Sequence, residues 1–141
     1  MASPIDFEAL ARDAGDAIVV ADSDGSILFW NRAAERIFGF TEAEALHKSL
    51  DLIIPQRLQQ RHWDGYRKVM ETGVTRYGTD LLRVPAVHKD GRKLSIAFTV
   101  VLLESAPGKP SAIAAFIRDE TARWEKEQSM AKRLAELEEK K

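Results

Sequence analysis

A chain of 141 residues holds one domain with room for a helical extension, and its formal charge of −1 offers nucleic acid or an anionic membrane no electrostatic attraction. With 45% hydrophobic and 30% charged residues the composition is that of an ordinary globular protein. The absence of cysteine excludes disulfides, thiolate metal sites, iron–sulfur clusters and any photochemistry that forms a cysteine adduct. The longest apolar runs, 98–103 and 52–55, fall far short of a bilayer span, and the start MASPIDFEAL lacks the basic and apolar regions of a signal peptide. The expected compartment is the cytoplasm.

Along the chain, Ile5, Phe7 and Leu10 predict a short helix within an N-terminal cap, residues 1–16. Two β-rich runs follow, 17–21 (AIVVA) and 27–31 (ILFWN), separated by DSDGS, whose Asp24-Gly25 pair supplies the positive-φ turn of a hairpin. Residues 32–38 (RAAERIF) predict a helix, and 41–45 a second, with Thr41 as N-cap and Glu44 as its capping-box partner. After a segment at 50–54, an amphipathic helix is expected over 56–72, entered through Pro55 and stopped at Gly73. Strands at 77–87 and 94–103 flank HKDGRK, where Asp90-Gly91 makes a second hairpin turn. Leu94, Ile96, Phe98, Val100 and Leu102 alternate with Ser95, Ala97 and Thr99, giving one apolar face. Residues 111–118 (SAIAAFIR) predict a fifth strand after the APGKPS loop.

The expected fold class is therefore α+β: one domain over 17–119, with a five-stranded antiparallel sheet, its connecting helices on one face and a cavity between them. From Glu120 the sequence turns helical to 141, with Met130, Leu134 and Leu137 at coiled-coil spacing. That stripe is too short to pair alone, so it dimerises with help from the domain or continues into an output region.

One residue carries the candidate chemistry. At 100° per residue, Leu58, Tyr66 and Val69 lie within roughly 40° of His62 on the 56–72 helix, with Trp63 and Met70 widening the apolar stripe. An imidazole in such an arc either finds a hydrogen-bond partner or coordinates something, and the residues alone leave both open. His47 and His88 are expected on the surface, and three scattered histidines without cysteine offer no structural metal site. No nucleophile elbow, phosphate-cradling loop, H-E-x-x-H helix or kinase signature is present, and the paired carboxylates Glu42/Glu44 and Glu138/Glu139 lie on polar segments. No enzyme activity is expected.

The order of elements, with WNRAAERIFGFTEAEAL at 30–46, HKDGRK at 88–93 and RDET at 118–121, resembles the PAS (Per-Arnt-Sim) sensory domain. The resemblance implies a five-stranded sheet packed by helices around a small-molecule pocket, a homodimer, and relay of ligand state to an attached effector. Within that family, IIPQRLQQRHWDGYRKV is similar to the haem-binding domains of the FixL type and the oxygen-sensing phosphodiesterases, where a histidine follows the proline by the interval from Pro55 to His62. By that likeness His62 would be the metal ligand of a b-type haem, through Nε2, in a gas sensor for CO, NO or O2. The pocket would be lined by Leu58, Tyr66, Val69, Leu82, Phe98, Val100, Ile113 and Ala115, with Lys68 and Arg76 meeting the propionates; both cations also fit solvated surface charges.

The chain departs from the oxygen sensors on the distal side. Leu82 stands where they carry an arginine and Asp80 where the phosphodiesterases carry a methionine, while Arg83 is expected on the opposite face, so CO or NO would suffer less than O2 from the missing donor. A flavin (FAD), with Trp30 and Trp63 as electron donors, and a haem-free dimerisation or small-metabolite module are the alternatives. The receiver of the signal would be a C-terminal effector domain beyond residue 141 or a partner kinase, with neither nucleic acid nor membrane as partner.

Overall fold

Both Asp-Gly turns and the alternating strands close into one antiparallel sheet in the computed structural model, which describes residues 4–75, 80–107 and 109–140. The chain runs through α1 (Phe7–Asp13), β1 (Ala17–Asp22), β2 (Ile27–Trp30), α2 (Arg32–Phe38) and α3 (Glu42–Ala45). Short 3-10 turns at Leu50–Ile53 and Gln56–Leu58 lead into α4 (Gln59–Thr72), followed by β3 (Leu82–Val87), β4 (Lys93–Ala106), β5 (Lys109–Asp119) and α5 (Thr121–Glu139). Strand order is β2-β1-β5-β4-β3, so the last strand returns to the centre beside the first. This is the expected α+β architecture, with the capping box of Thr41 and Glu44 formed as the spacing predicts.

The bounds of four elements differ most from expectation. The helix expected over 56–72 begins with a 3-10 turn, in which Leu58 N–H donates to the Pro55 carbonyl at 2.9 Å. The strand expected over 77–87 is seen from Leu82, with Asp80 and Leu81 outside it and 77–79 outside the described residues. β4 and β5 both run longer than expected, and their register shifts near Glu104, where the loop sequence still supports pairing.

The sheet's inner face builds the core. Ala17, Val19, Ile27, Trp30, Leu94, Ile96 and Ile117 meet Ala33, Ala34 and Phe38 of α2, Ala45 of α3 and Ile53. Small alanines let α2 sit close to β1, and the Trp30 indole satisfies its N–H by donating to the Phe40 carbonyl at 2.9 Å. Register places Val19, Ala115 and Val100 in one row and Ala21, Ile113 and Leu102 in the next. Farther from α2 this face is only half-buried: Leu82, Phe98, Val100, Leu102, Ile113 and Ala115 all keep some exposure. The outer face is not the polar one that Ser95, Ala97 and Thr99 suggested, since Val101, Leu103 and Phe116 lie exposed on it.

Asn31 ties the N-terminal segment to the sheet. It is 1% exposed. Its Oδ1 accepts from the backbone N–H of Ile18 (2.9 Å) and of Ala34 (3.0 Å), the second as the N-cap of α2. Its Nδ2 donates to the carbonyls of Ala11 (2.9 Å) and Asp16 (3.1 Å), so one amide joins α1, β1 and α2.

α1 and α5 bury none of their residues; Phe7, Leu10, Met130, Leu134 and Leu137 are all exposed. Among the described residues no helix is long and apolar enough to cross a membrane.

Candidate ligand site on the long helix

Two aromatic side chains hook α4 onto the rest of the domain. The Trp63 indole lies against Gly25 in the first hairpin turn, where a Cβ would come within 2.0 Å of Cη2, and its Nε1 donates to Asp51 Oδ1 at 2.7 Å in the first 3-10 turn. Buried Tyr66 donates its hydroxyl to the Asp22 carbonyl at the end of β1. Burial pushes the Tyr66 phenol upward, helped by the charges of Asp22 and Asp24, so it stays a neutral donor. At the helix's far end Gly73 donates its N–H to the Val69 carbonyl at 2.8 Å. Between these anchors α4 runs alongside β5.

His62 stands beside both anchors, its ring centroid 4.7 Å from Trp63 edge-on and 5.6 Å from Tyr66. Its Nδ1 is buried and has no hydrogen-bond partner among the described residues. Leaving such a nitrogen unpaired costs on the order of 1–3 kcal/mol, which a fold sustains where something else takes up the group. Burial holds His62 below the ordinary histidine range, and the nearby Asp51 carboxylate opposes that shift only in part. The imidazole is thus neutral at pH 7, the form that carries a free lone pair.

A dependence of stability on pH follows. The unfolded chain binds a proton near pH 6.5 that the folded site refuses, so the His62 contribution is whole above that pH and is lost as pH falls through it toward the lower folded value. The thermal midpoint should fall between pH 7.5 and pH 5.5, and fall less in His62→Gln. Identical drops in both proteins would assign the loss to other groups.

Of the other residues expected at the site, Leu58 and Val69 are half-buried on the same helical stretch as His62. Tyr66 is buried, but its hydroxyl is spent on the hairpin. Leu82 pairs with Phe98, and Val100 with Ala115, on the half-buried inner face, with Ile113 one row farther on. Lys68 is exposed and in no ion pair among the described residues, while Arg76 lies outside the described residues. Asp80 is exposed, and Arg83 lies on the outer face, bonded to Glu120.

Asp51, Asp22 and Gly25 were not legible as parts of this site, because each meets α4 only through the tertiary fold. His88, expected on the surface, has a side chain only 14% exposed. The second hairpin turn folds onto the link after α2, with Lys89 N–H donating to the Phe38 carbonyl at 2.9 Å and the His88 ring over Gly39, where a Cβ would meet Cε1 at 2.5 Å. Its Nδ1 accepts from the Asp90 N–H at 3.1 Å. The Arg92 N–H, then the Arg92 charge, hold the Asp90 carboxyl below its ordinary range. His47 is exposed, as expected. No group of three or more His, Cys, Asp or Glu among the described residues is placed to hold a metal ion.

Comparison with known proteins places these features in company. A family model described as PAS fold matches residues 5–119. The chain is 30% identical over 118 residues to the oxygen sensor protein DosP of Escherichia coli strain K12, a match covering 84% of this chain and 14% of that one. It is 32% identical over 123 residues to the sensor protein FixL of Bradyrhizobium diazoefficiens, covering 86% of this chain and 23% of that one. The chain thus spans less than a quarter of either relative's length. Among solved structures, the PAS domain of a Colwellia psychrerythraea protein superposes with a TM-score of 0.72 at 21% identity, over 82% of this chain and 95% of that one, a likeness of fold.

Proposed function

The chain belongs to the PAS family, and from that premise we propose that it is a sensory domain which binds a b-type haem through His62 and passes ligand state to an output module or partner kinase. The observation that carries this reading is the buried, unpartnered ring nitrogen of a neutral histidine on the helix beside a half-buried apolar sheet face. Haem, when bound, would supply an iron able to take up a diatomic gas. The donor chemistry fits: a neutral imidazole is what the iron needs, and the buried Nδ1 without a partner among the described residues supports a ring free to take one. The orphan is Nδ1, whereas Nε2 is the proposed ligand atom, so loading must turn the ring or find an acceptor for Nδ1–H.

The remaining residues would exclude water and orient. Leu58 in the turn before α4 and Val69 on α4, with Leu82, Phe98, Val100, Ile113 and Ala115 on the sheet, offer apolar surface to the macrocycle, and Lys68 and Arg76 are the cations proposed for its propionates. Leu82 brings no hydrogen-bond donor to the side away from His62, which favours CO or NO over O2 as the sensed gas. Purified protein mixed with ferric haem should develop the Soret band of a histidine-ligated iron. A colourless protein, or one that purifies with a flavin spectrum, would contradict the haem reading and leave the flavin-binding or cofactor-free module.

The second part of the proposal is a homodimer joined through α1 and the Met130, Leu134 and Leu137 stripe, since a helix with no buried residue is marginal on its own. Light scattering at high micromolar concentration should give twice the chain mass, and Leu134→Glu should shift it to the monomer with unchanged circular dichroism. A wild-type monomer would contradict it.

A further inference from the structure

Leu82 and Arg83 are neighbours on β3 and point to opposite faces of the sheet. Leu82 pairs with Phe98 on the inner face, where Phe98 packs against the core. Arg83 reaches across the outer face to the residue that precedes α5, its Nε 3.5 Å from Glu120 Oε2. Glu120 is only 16% exposed in its side chain, and its second oxygen lies 3.9 Å from the guanidinium of Arg123 in the first turn of α5. These three residues, with Ser95, Trp124 and Glu127, line a groove of about 190 Å³ between α5 and the sheet.

Two kinds of contact meet in that groove. The backbone contacts are short: Glu120 N–H donates to the Ser95 carbonyl at 2.8 Å, and the Thr121 hydroxyl accepts from Ser95 N–H at 3.0 Å. They fix a pivot between β4 and the start of α5. The ionic contacts of Arg83 and Arg123 with Glu120 are longer, and can tighten or slacken without breaking the pivot. Because α5 buries none of its residues, its direction is set at this first turn.

We infer that Arg83, Glu120 and Arg123 form a clamp by which a displacement of β3 at Leu82 is passed to the direction of α5. This regulates the sensory site and takes its input from the haem reading above. Leu82 and Arg83 share one peptide unit, so a ligand that pushes Leu82 outward moves the Arg83 backbone with it and changes the hold on Glu120. Both guanidiniums are mostly solvated, which limits the coupling to a modest shift of population, about two- to fivefold.

Hydrogen exchange at the Glu120 and Trp124 amides of the full chain tests the clamp in two arms. Without haem, Arg83→Met and Glu120→Gln should each speed exchange at these amides by about two- to fivefold, with the double variant no faster than either single one. Unchanged rates in the single variants, or additive effects in the double, would overturn the clamp; Arg123→Met, on the other side of Glu120, guards against a local packing defect at Arg83. Addition of ferric haem should then alter exchange at Trp124 in the wild type and not in Arg83→Met. An equal change in both proteins would overturn the clamp and leave the haem reading standing, whereas failure to bind haem at all would remove its input, with the haem-free cycle still deciding whether the three residues are coupled.

Discussion

Asn31→Ala should destabilise the domain by about 3–4 kcal/mol, as much as truncating a large apolar core side chain. The substitution removes the N-cap of α2, worth about 1 kcal/mol alone, and strips partners from the Ile18 and Ala34 N–H groups and the Ala11 and Asp16 carbonyls. At 1% exposure of the side chain, little water is at hand to replace them. Asn31→Leu keeps the volume and should cost as much, which separates lost hydrogen bonding from a cavity. Urea unfolding should show the midpoint falling by about 1–3 M in both variants. A loss under about 1 kcal/mol would mean that the N-terminal segment is not held by this amide.

Gly25→Ala should cost about 2–4 kcal/mol and disturb the candidate site as well. Gly25 has φ +84°, a conformation that costs an alanine roughly 1 kcal/mol, and its new methyl group would stand 2.0 Å from Trp63 Cη2 and 2.3 Å from Cζ3. The indole must then leave its seat, breaking the bond to Asp51 and loosening the helix that carries His62. Gly91 supplies the control: its φ is +92°, but a Cβ there meets nothing within 4 Å. Gly91→Ala should therefore cost only the backbone strain, about 1 kcal/mol. Equal losses at the two positions would show that Trp63 does not anchor α4.

That pair of glycines also marks how far the sequence could be read. Both Asp-Gly turns are local signals, and each produces the hairpin it announces; the alternation from Leu94 to Leu102 likewise gives β4 and its inner face. What lies on top of a turn is not local. Nothing near Asp24-Gly25 signals that the indole of Trp63 covers Gly25 and not Gly91. The burial of His88 has the same origin, since only the docking of its turn on the link after α2 takes it from water. The helical arithmetic that set His62 beside Leu58, Tyr66 and Val69 is local, but it could not divide the work between them. Tyr66 and Trp63 spend their polar atoms on Asp22 and Asp51, and the nitrogen left over is that of His62. Strand alternation did place Arg83 away from Leu82; that it would meet Glu120, 37 residues on, needed the sheet.

The central claim is that this left-over nitrogen marks a haem ligand. Titration of ferric haem into the wild type and His62→Ala, followed by absorbance in the Soret region, tests it directly. The wild type should saturate at a single haem per chain with a histidine-ligated spectrum, and His62→Ala should bind at least about 10- to 100-fold more weakly without that spectrum. Equal, weak binding by both proteins, with no histidine-ligated band in the wild type, would contradict the account and leave His62 as an unligated histidine of a haem-free PAS domain.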